Sequence, residues 1–143
     1  MLIAEAMNKN VETARSDTNI RQIAKQMTQR RVGAVVLISG SGTLEGIVTE
    51  RDIMSDVVAE GLNPETTTAE EIMTKEVITI DPSQNLEDAA ELMTKNKIKK
   101  LPVVLQGRLV GIITAADLIA YEEKLVEKVA QLMTTTRISG IGG

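Results

Sequence analysis

The sequence predicts an α+β fold made of two copies of one unit, and three observations carry this prediction. Residues 2–54 and 69–119 repeat each other, first at an offset of 66 and then, after a one-residue gap, at an offset of 65. The aligned positions include Met7 with Met73, Asn19 with Asn85, Met27 with Met93, Gly46 with Gly111, Thr49 with Thr114, and Asp52 with Asp117. Each copy also contains an apolar stripe with helical spacing, and two short β-branched runs typical of strands. Because a repeat of this length is one supersecondary unit that buries its apolar face against a neighbouring copy, we expect a pseudo-twofold pair with clefts between the units.

Each copy is expected to begin with a short amphipathic piece and a brief extended segment, at residues 2–7 and 11–14 in the first copy and at residues 70–73 and 77–80 in the second. A helix follows in each copy, because apolar residues recur at i, i+3, i+4 and i+7. The stripe consists of Ile20, Ile23, Ala24 and Met27 in the first copy and of Leu86, Ala89, Ala90 and Met93 in the second. Asn19 and Asn85 stand directly before these stripes and are predicted to cap the helices.

Two strands and a second helix complete each copy. The strands are predicted at residues 34–38 and 44–48 in the first copy and at residues 101–105 and 109–113 in the second, with glycine-containing turns between them. The second helix is expected to start after Thr49 and to end near residue 60, whereas its equivalent after Thr114 continues to about residue 133. The predicted organisation is a first unit at residues 1–60, a polar linker at residues 61–68, a second unit at residues 69–133 and a loose tail at residues 134–143.

Composition excludes several kinds of chemistry. The chain of 143 residues contains no cysteine and no histidine, so it has no thiol nucleophile, no Ser-His-Asp triad and none of the usual zinc ligand sets. A net charge of −4 and a single aromatic residue argue against nucleic-acid binding. No apolar run approaches the ~20 residues that span a bilayer, and no basic-then-apolar leader is present. We therefore expect a cytoplasmic protein that is not an enzyme, requires no cofactor, has no catalytic residue or metal site, and binds neither membranes nor nucleic acid.

The same short motif stands where the last strand of each copy runs into its helix. Glycine, two apolar residues, threonine, two further residues and aspartate occur at residues 46–52 and again at residues 111–117. A strand that ends at a helix N-terminus presents backbone N–H groups, and a threonine hydroxyl beside an aspartate carboxylate suits two adjacent ribose hydroxyls. The same pair also forms a helix capping box, in which the aspartate complements the helix dipole. From the residues alone, ligand binding and capping both stay open.

The complete pattern resembles the cystathionine β-synthase (CBS) domain, in a tandem pair known as a Bateman module. The resemblance covers most of the chain. It includes the paired methionines, the Val-x-Thr segments that end at Thr13 and Thr79, the alanine- and methionine-containing helices, and the two Thr-x-x-Asp corners. It implies a β-α-β-β-α unit in each half, with a twofold packing of the units through their sheets. It also implies two sites for adenosine-containing ligands such as AMP, ADP, ATP or S-adenosylmethionine.

Matching the family pattern residue by residue implies one ligand site in each copy. The second-copy site would place adenine against Thr79, Ile80, Leu101 and Pro102, ribose at Thr114 and Asp117, and phosphate near Lys99 or Lys100. The first-copy site would consist of Thr13, Ala14, Val35, Thr49 and Asp52, with Arg51 as the phosphate contact. The two copies therefore carry their positive charge on different segments.

The function that the resemblance implies is a stand-alone regulatory module. It would sense adenosine-containing ligands and change the shape or partner affinity of a homodimer, and a regulated protein would respond to that change. The alternative is a ligand-independent dimerisation or scaffold module, in which the Thr-x-x-Asp corners are helix caps only. Nucleotide hydrolysis comes third, because no general base is marked in the sequence.

Overall fold

The computed structural model describes residues 1–138, with side chains for residues 1–134, and it confirms the α+β tandem pair. The first half of the chain forms α1 (Ile3–Ala6), β1 (Thr13–Ala14), α2 (Ile20–Arg30), β2 (Ala34–Ile38), β3 (Leu44–Thr49), α3 (Glu50–Ile53) and a π-helical turn (Met54–Val58). The second half forms α4 (Ala69–Ile72), α5 (Leu86–Asn96), β4 (Lys100–Leu105), β5 (Arg108–Thr114) and α6 (Ala115–Ile138). Each half follows the predicted order, although the helix after Thr49 passes into a π-helical turn.

Asparagine caps begin the long central helix of each half, as the sequence predicts. The Oδ1 atoms of Asn19 and Asn85 each accept a hydrogen bond of 2.9 Å from the backbone N–H three residues later. At α5 the backbone N–H of Asn85 also donates to Asp88 Oδ2 at 3.0 Å, which completes a capping box. Both helices end in a left-handed residue, Arg31 with φ 56° and Lys97 with φ 53°. The chain therefore leaves α2 and α5 with the same geometry.

Each half contains a small sheet. In the first half β1 pairs in parallel with β2, and β2 pairs antiparallel with β3. In the second half β4 pairs antiparallel with β5, and Ile80 makes a parallel bridge to Val103. The N–H of Ile80 donates to Pro102 O at 3.1 Å, and its carbonyl accepts from Val104 N at 3.0 Å. The segment at residues 77–80 therefore occupies the place of β1 but contributes a single bridge.

The opening helix of each half packs in the core of the other half. α1 contributes Ile3 and Ala6 to a core whose other buried members are Ile80, Ala89, Met93, Leu101, Val103 and Ile113. α4 contributes Ala69 to the core formed by Ile20, Ile23, Met27, Val35, Leu37, Val48 and Val57. Backbone hydrogen bonds of 2.8 Å fix both helices, from Ile3 N to Gln84 O and from Ala69 N to Thr18 O. The two halves thus exchange their first helices, and each core contains residues from both.

A further apolar layer lies between the two sheets and joins the halves. It consists of Ala34, Val36 and Ile47, with Val11, Ile38, Leu44, Val77 and Leu109 packed against them. The two hairpins also meet through their backbones, since Leu44 N donates to Gly107 O at 3.2 Å and Leu109 N donates to Gly42 O at 3.1 Å. Residues that the repeat aligns, such as Leu44 and Leu109, hold equivalent places in this contact. The units therefore pack through their sheets with the predicted pseudo-twofold symmetry.

α6 is much longer than the other helices and extends beyond the second core. Its first turns contact that core through Leu118 and Tyr121. Further along, four apolar side chains are between 48% and 62% exposed, namely Leu125, Val126, Val129 and Met133. The helix continues to Ile138. The prediction of a loose tail from residue 134 is therefore wrong for residues 134–138. The helix can continue there because no glycine or proline occurs before Gly140. The rest of that predicted tail, residues 139–143, lies outside the described residues.

Candidate functional site

The two Thr-x-x-Asp corners form matching capping boxes. At the first corner Asp52 N donates to Thr49 Oγ1 at 3.2 Å, and Thr49 N donates to Asp52 Oδ2 at 2.9 Å. At the second corner Asp117 N donates to Thr114 Oγ1 at 3.1 Å, and Thr114 N donates to Asp117 Oδ2 at 3.0 Å. Both aspartates are half-buried, and within the described residues their Oδ1 atoms make no hydrogen bond. Capping therefore uses one oxygen of each carboxylate and leaves the other able to bind a ligand.

Each corner is bordered by a segment from the other half. Ile47, just before the first corner, exchanges backbone hydrogen bonds of 3.1 and 3.0 Å with Thr74. Ile112, just before the second corner, exchanges two of 2.9 Å with Asn8. The chain that follows α4 therefore passes the first corner, and the chain that follows α1 passes the second. Both corners lie at boundaries between the halves.

A cavity of about 450 Å³ opens at the first corner. Small-molecule sites have volumes of roughly 300–1,000 Å³, so a nucleoside-sized ligand fits this space. The first half lines it with Gly33, Ile47, Thr49, Glu50, Arg51 and Asp52, and the second half lines it with Thr74, Glu76, Val77, Ile78, Lys97, Ile98, Lys99 and Lys100. Two other hollows of about 570 and 500 Å³, beside the linker and beside α2, contain neither Thr49 nor Asp52. The cavity at the first corner is therefore the candidate site.

The cavity unites cationic residues that the family pattern assigns to different sites. Arg51 belongs to the first-copy set, and Lys99 and Lys100 belong to the second-copy set, yet all three line this one cavity. Lys100 Nζ and Glu50 Oε1 lie 3.4 and 3.1 Å from the position that a Cβ on Gly33 would occupy. Because Gly33 has no side chain, the charged ends of Lys100 and Glu50 can lie close to its backbone.

Three residues that the family pattern assigns to adenine contacts lie inside the helix-facing cores. Val35 and Leu101 are 0% exposed, and Ile80 is 2% exposed. Val35 belongs to the core of the first half, and the other two belong to the core of the second half. Side chains alternate along a strand, so Ala34 and Val36 contact the layer between the sheets while Val35 points the opposite way. In this structure the three side chains stabilise the cores and do not line the cavity.

The other predicted contacts do not line the cavity at the first corner. Thr13, Ala14 and Thr79 are half-buried, and Pro102 is buried between the strand positions of Ile80 and Ile112. The predicted ribose pair Thr114 and Asp117 forms the second corner, as described above. Thr49, Asp52, Arg51, Lys99 and Lys100 are the predicted residues that the structure brings together.

The sequence pattern missed the apolar side of the cavity and one of its cations. The cavity lining includes three apolar residues, Val77, Ile78 and Ile98, in addition to the polar residues of the corner. It also includes the cationic residue Lys97. Ile78 is 37% exposed and lies two residues before the bridge at Ile80. No signal in the repeat marks these residues, because they reach the first corner only through the packing of the second half against the first.

Two further properties concern the described part of the chain. Residues 1–138 contain no helix that is both long enough and apolar enough to cross a membrane. The same residues contain no group of three or more acidic side chains arranged to hold a metal ion.

Comparison with known proteins gives one family. A family model described as CBS domain matches residues 3–59 and again residues 69–124. The chain is 35% identical over 116 residues to the CBS domain-containing protein YhcV of Bacillus subtilis, a match that covers 81% of each protein. It is 30% identical to the CBS domain pair of protein MJ0100 in complex with 5′-methylthioadenosine and S-adenosyl-L-methionine, with a TM-score of 0.79 over 87% of this chain and 97% of that one. It is also 28% identical to Hypoxic Response Protein I with two coordinated zinc ions, with a TM-score of 0.77 over 84% and 98%.

Proposed function

We infer the function of this protein from its family, since the chain belongs to the CBS domain family. A solved relative with the same tandem arrangement holds two adenosine derivatives, which supports a ligand-binding regulatory module. We propose that this chain binds an adenosine-containing ligand, either AMP, ADP, ATP or S-adenosylmethionine, at its Thr-x-x-Asp corners. Binding changes how the chain contacts a regulated protein, and no chemical step is involved.

One observation carries this proposal, namely that the cavity at the first corner combines the three kinds of group that such a ligand needs. The Thr49 hydroxyl and the Oδ1 atom of Asp52 provide hydrogen-bonding partners for two ribose hydroxyls. Ile78 and Ile98 provide apolar surface for the purine ring, and the cationic residues beside them suit phosphate. The second corner repeats the Thr-Asp pair, so we propose a second ribose site at Thr114 and Asp117.

Replacing Asp52 or Asp117 by alanine separates ligand binding from capping. Each variant is expected to lose about 0.5–2 kcal/mol of unfolding free energy, because its capping box is broken. Each is also expected to lose the ligand-induced stabilisation that its own corner provides, which is about 2.7 kcal/mol for a ligand at 100 times its Kd. Thermal unfolding with and without AMP, ATP and S-adenosylmethionine measures both effects.

Asp88→Ala is the matched control, because Asp88 completes the same kind of box with Asn85 at α5 and does not line the cavity. This variant should lose similar stability without ligand and keep the full ligand-induced increase. An equal ligand response in all three variants, or no stabilisation of the wild-type chain by any of the three compounds, contradicts the proposed function.

A scaffold function is the second candidate, and the complete capping boxes favour it. Hydrogen bonds within the chain give both Thr-Asp pairs a structural role. The exposed apolar face of α6, defined by Leu125, Val126, Val129 and Met133, offers a surface for association. We propose that a second copy of the chain covers this face and forms a homodimer, with or without a response to nucleotides.

A further inference from the structure

We infer that the cavity at the first corner selects an adenosine ligand whose tail ends in an α-amino acid, as in S-adenosylmethionine, over a ligand whose tail is a polyphosphate. Glu50 binds the ammonium group of the amino acid, and Lys100 binds its carboxylate. The inference rests on the proposed function, because the corner must first bind the nucleoside.

The charged ends of Glu50 and Lys100 converge beside the backbone of Gly33. Glu50 Oε1 lies 3.1 Å and Lys100 Nζ lies 3.4 Å from the position of a Cβ on Gly33, so these two charged atoms are at most 6.5 Å apart. Among the described residues, neither side chain makes an ion pair or a hydrogen bond. The two opposite charges are therefore too far apart for direct contact and close enough for one small group to contact both.

An α-amino acid is a small group that carries an ammonium and a carboxylate on one carbon atom. Each of these charges makes hydrogen bonds of about 2.7–2.9 Å with a partner of opposite charge. The Glu50 carboxylate provides acceptors only, and the Lys100 ammonium provides donors only. The pair therefore matches both charges of the amino acid at the same time.

This pair lies within reach of a ribose that is held at the corner. Glu50 directly follows Thr49, so the Cα atoms of these two residues are about 3.8 Å apart. Both residues line the cavity, and so does Lys100, which begins β4 of the second half. A tail that extends a few bonds from the ribose can therefore contact both halves of the molecule at once.

A polyphosphate tail gains less from the same lining. Four of the seven charged side chains that line the cavity are cations, and three are carboxylates, those of Glu50, Asp52 and Glu76. A tail with several negative charges is attracted by the cations but also repelled by the carboxylates, whereas a zwitterion has a partner for each of its charges. An exposed charge pair contributes a factor of roughly 1.5 to 5 in affinity. Two such pairs are sufficient to select between the tails.

Calorimetric titration with S-adenosylhomocysteine, 5′-methylthioadenosine and metal-free ATP tests the inference. The first two compounds share the nucleoside and the thioether, but only S-adenosylhomocysteine carries the amino acid. The cavity variant is Glu50→Gln/Lys100→Gln, and the control variant is Glu60→Gln/Lys124→Gln, whose side chains are exposed and do not line the cavity. Neither variant changes the net charge. The first corner is the binding event that Asp52→Ala removes, and 5′-methylthioadenosine binding reports that each variant is folded.

The wild-type chain and the control variant are expected to bind S-adenosylhomocysteine at least about threefold more tightly than 5′-methylthioadenosine. The cavity variant should bind the two compounds within about twofold of each other. The single variant Glu50→Gln should weaken S-adenosylhomocysteine binding and strengthen ATP binding, each by a factor of about 1.5 to 5, because it removes the partner of the ammonium and the repulsion of the phosphates. A general loss of structure would weaken both.

Three results would each overturn the inference and leave the proposed function standing. They are equal affinity of the wild-type chain for S-adenosylhomocysteine and 5′-methylthioadenosine, tighter binding of ATP than of S-adenosylhomocysteine at the first corner, and an equal loss of S-adenosylhomocysteine affinity in both double variants. Failure of the wild-type chain to bind these three compounds, AMP and S-adenosylmethionine overturns the proposed function and this inference together.

Discussion

At the scale of single residues, one close contact explains why methionine and glycine recur in both copies. A Cβ on Gly111 would lie 2.5 Å from Met7 Sδ, and a Cβ on Gly46 would lie 2.6 Å from Met73 Sδ. Both glycines are buried in strands, and both methionines end an exchanged helix. The methionine of each half therefore packs on the glycine of the other half, and only glycine leaves room for it.

Gly111→Ala is expected to reduce the free energy of unfolding by about 1–3 kcal/mol, because the new methyl group overlaps Met7 and the core must shift. Urea unfolding measures this loss. In Gly40→Ala, the control, the methyl group meets only the end of the Arg15 side chain at 3.4 Å, so a change within about 0.5 kcal/mol is expected. Adding Met7→Ala to Gly111→Ala should recover part of the loss, and strictly additive losses would show that the overlap is not its cause.

At the scale of elements, the exchange of α1 and α4 ties the two halves together. Each of these helices has four residues, and isolated helices shorter than about 12–15 residues are marginal in water. Ile3 and Ala69 are nevertheless 0% exposed. Their helices are therefore stabilised by the cores that receive them, and each core depends on a segment from the other half of the chain.

Ile3→Ala is expected to destabilise the second half of the molecule, although Ile3 is the third residue of the chain. Removing a fully buried isoleucine side chain costs about 2–5 kcal/mol. Hydrogen exchange should show the loss of protection in α5 and β4. Leu2→Ala is the control, since Leu2 is 45% exposed and its truncation should change little. A loss of protection that appears first in α2 and β2 would contradict the role of α1 in the second core.

At the scale of the whole molecule, the pseudo-twofold pair carries one feature that its symmetry does not repeat. The equivalent of α6 in the first half is α3 with its π-helical turn, which ends at Val58. α6 continues for several further turns with its apolar face exposed. Monomeric proteins in water rarely expose a continuous apolar face, so this asymmetry supports the proposed homodimer.

Val126→Lys is expected to prevent the proposed homodimer from forming, because it places a charge on the exposed apolar face of α6. Sedimentation velocity over a range of concentrations measures the change in mass. Gln131→Lys is the matched control, since Gln131 is also exposed but lies about 140° around the helix from Val126. Dimers that survive Val126→Lys would place the contact elsewhere, and a wild-type chain that stays monomeric would exclude the homodimer.

The sequence by itself determined the features that depend on neighbouring residues. The caps at Asn19 and Asn85 and the two Thr-Asp boxes form between residues three apart. The helices and strands follow from periodicity over one element, and the family pattern gave their order. These features could be predicted because short-range hydrogen bonds and apolar spacing act within a single stretch of chain.

Only the tertiary structure decided which half each opening helix joins and which residues surround a corner. The two copies have the same apolar pattern, so α1 would fit either core. The pattern therefore does not show whether an opening helix packs in its own half or in the other half. The exposure of Ile78 and the meeting of Arg51 with Lys99 depend on how the two halves pack together, and the burial of Val35 depends on which face of β2 packs against α2. They depend on contacts between residues far apart in the chain, which local sequence does not encode.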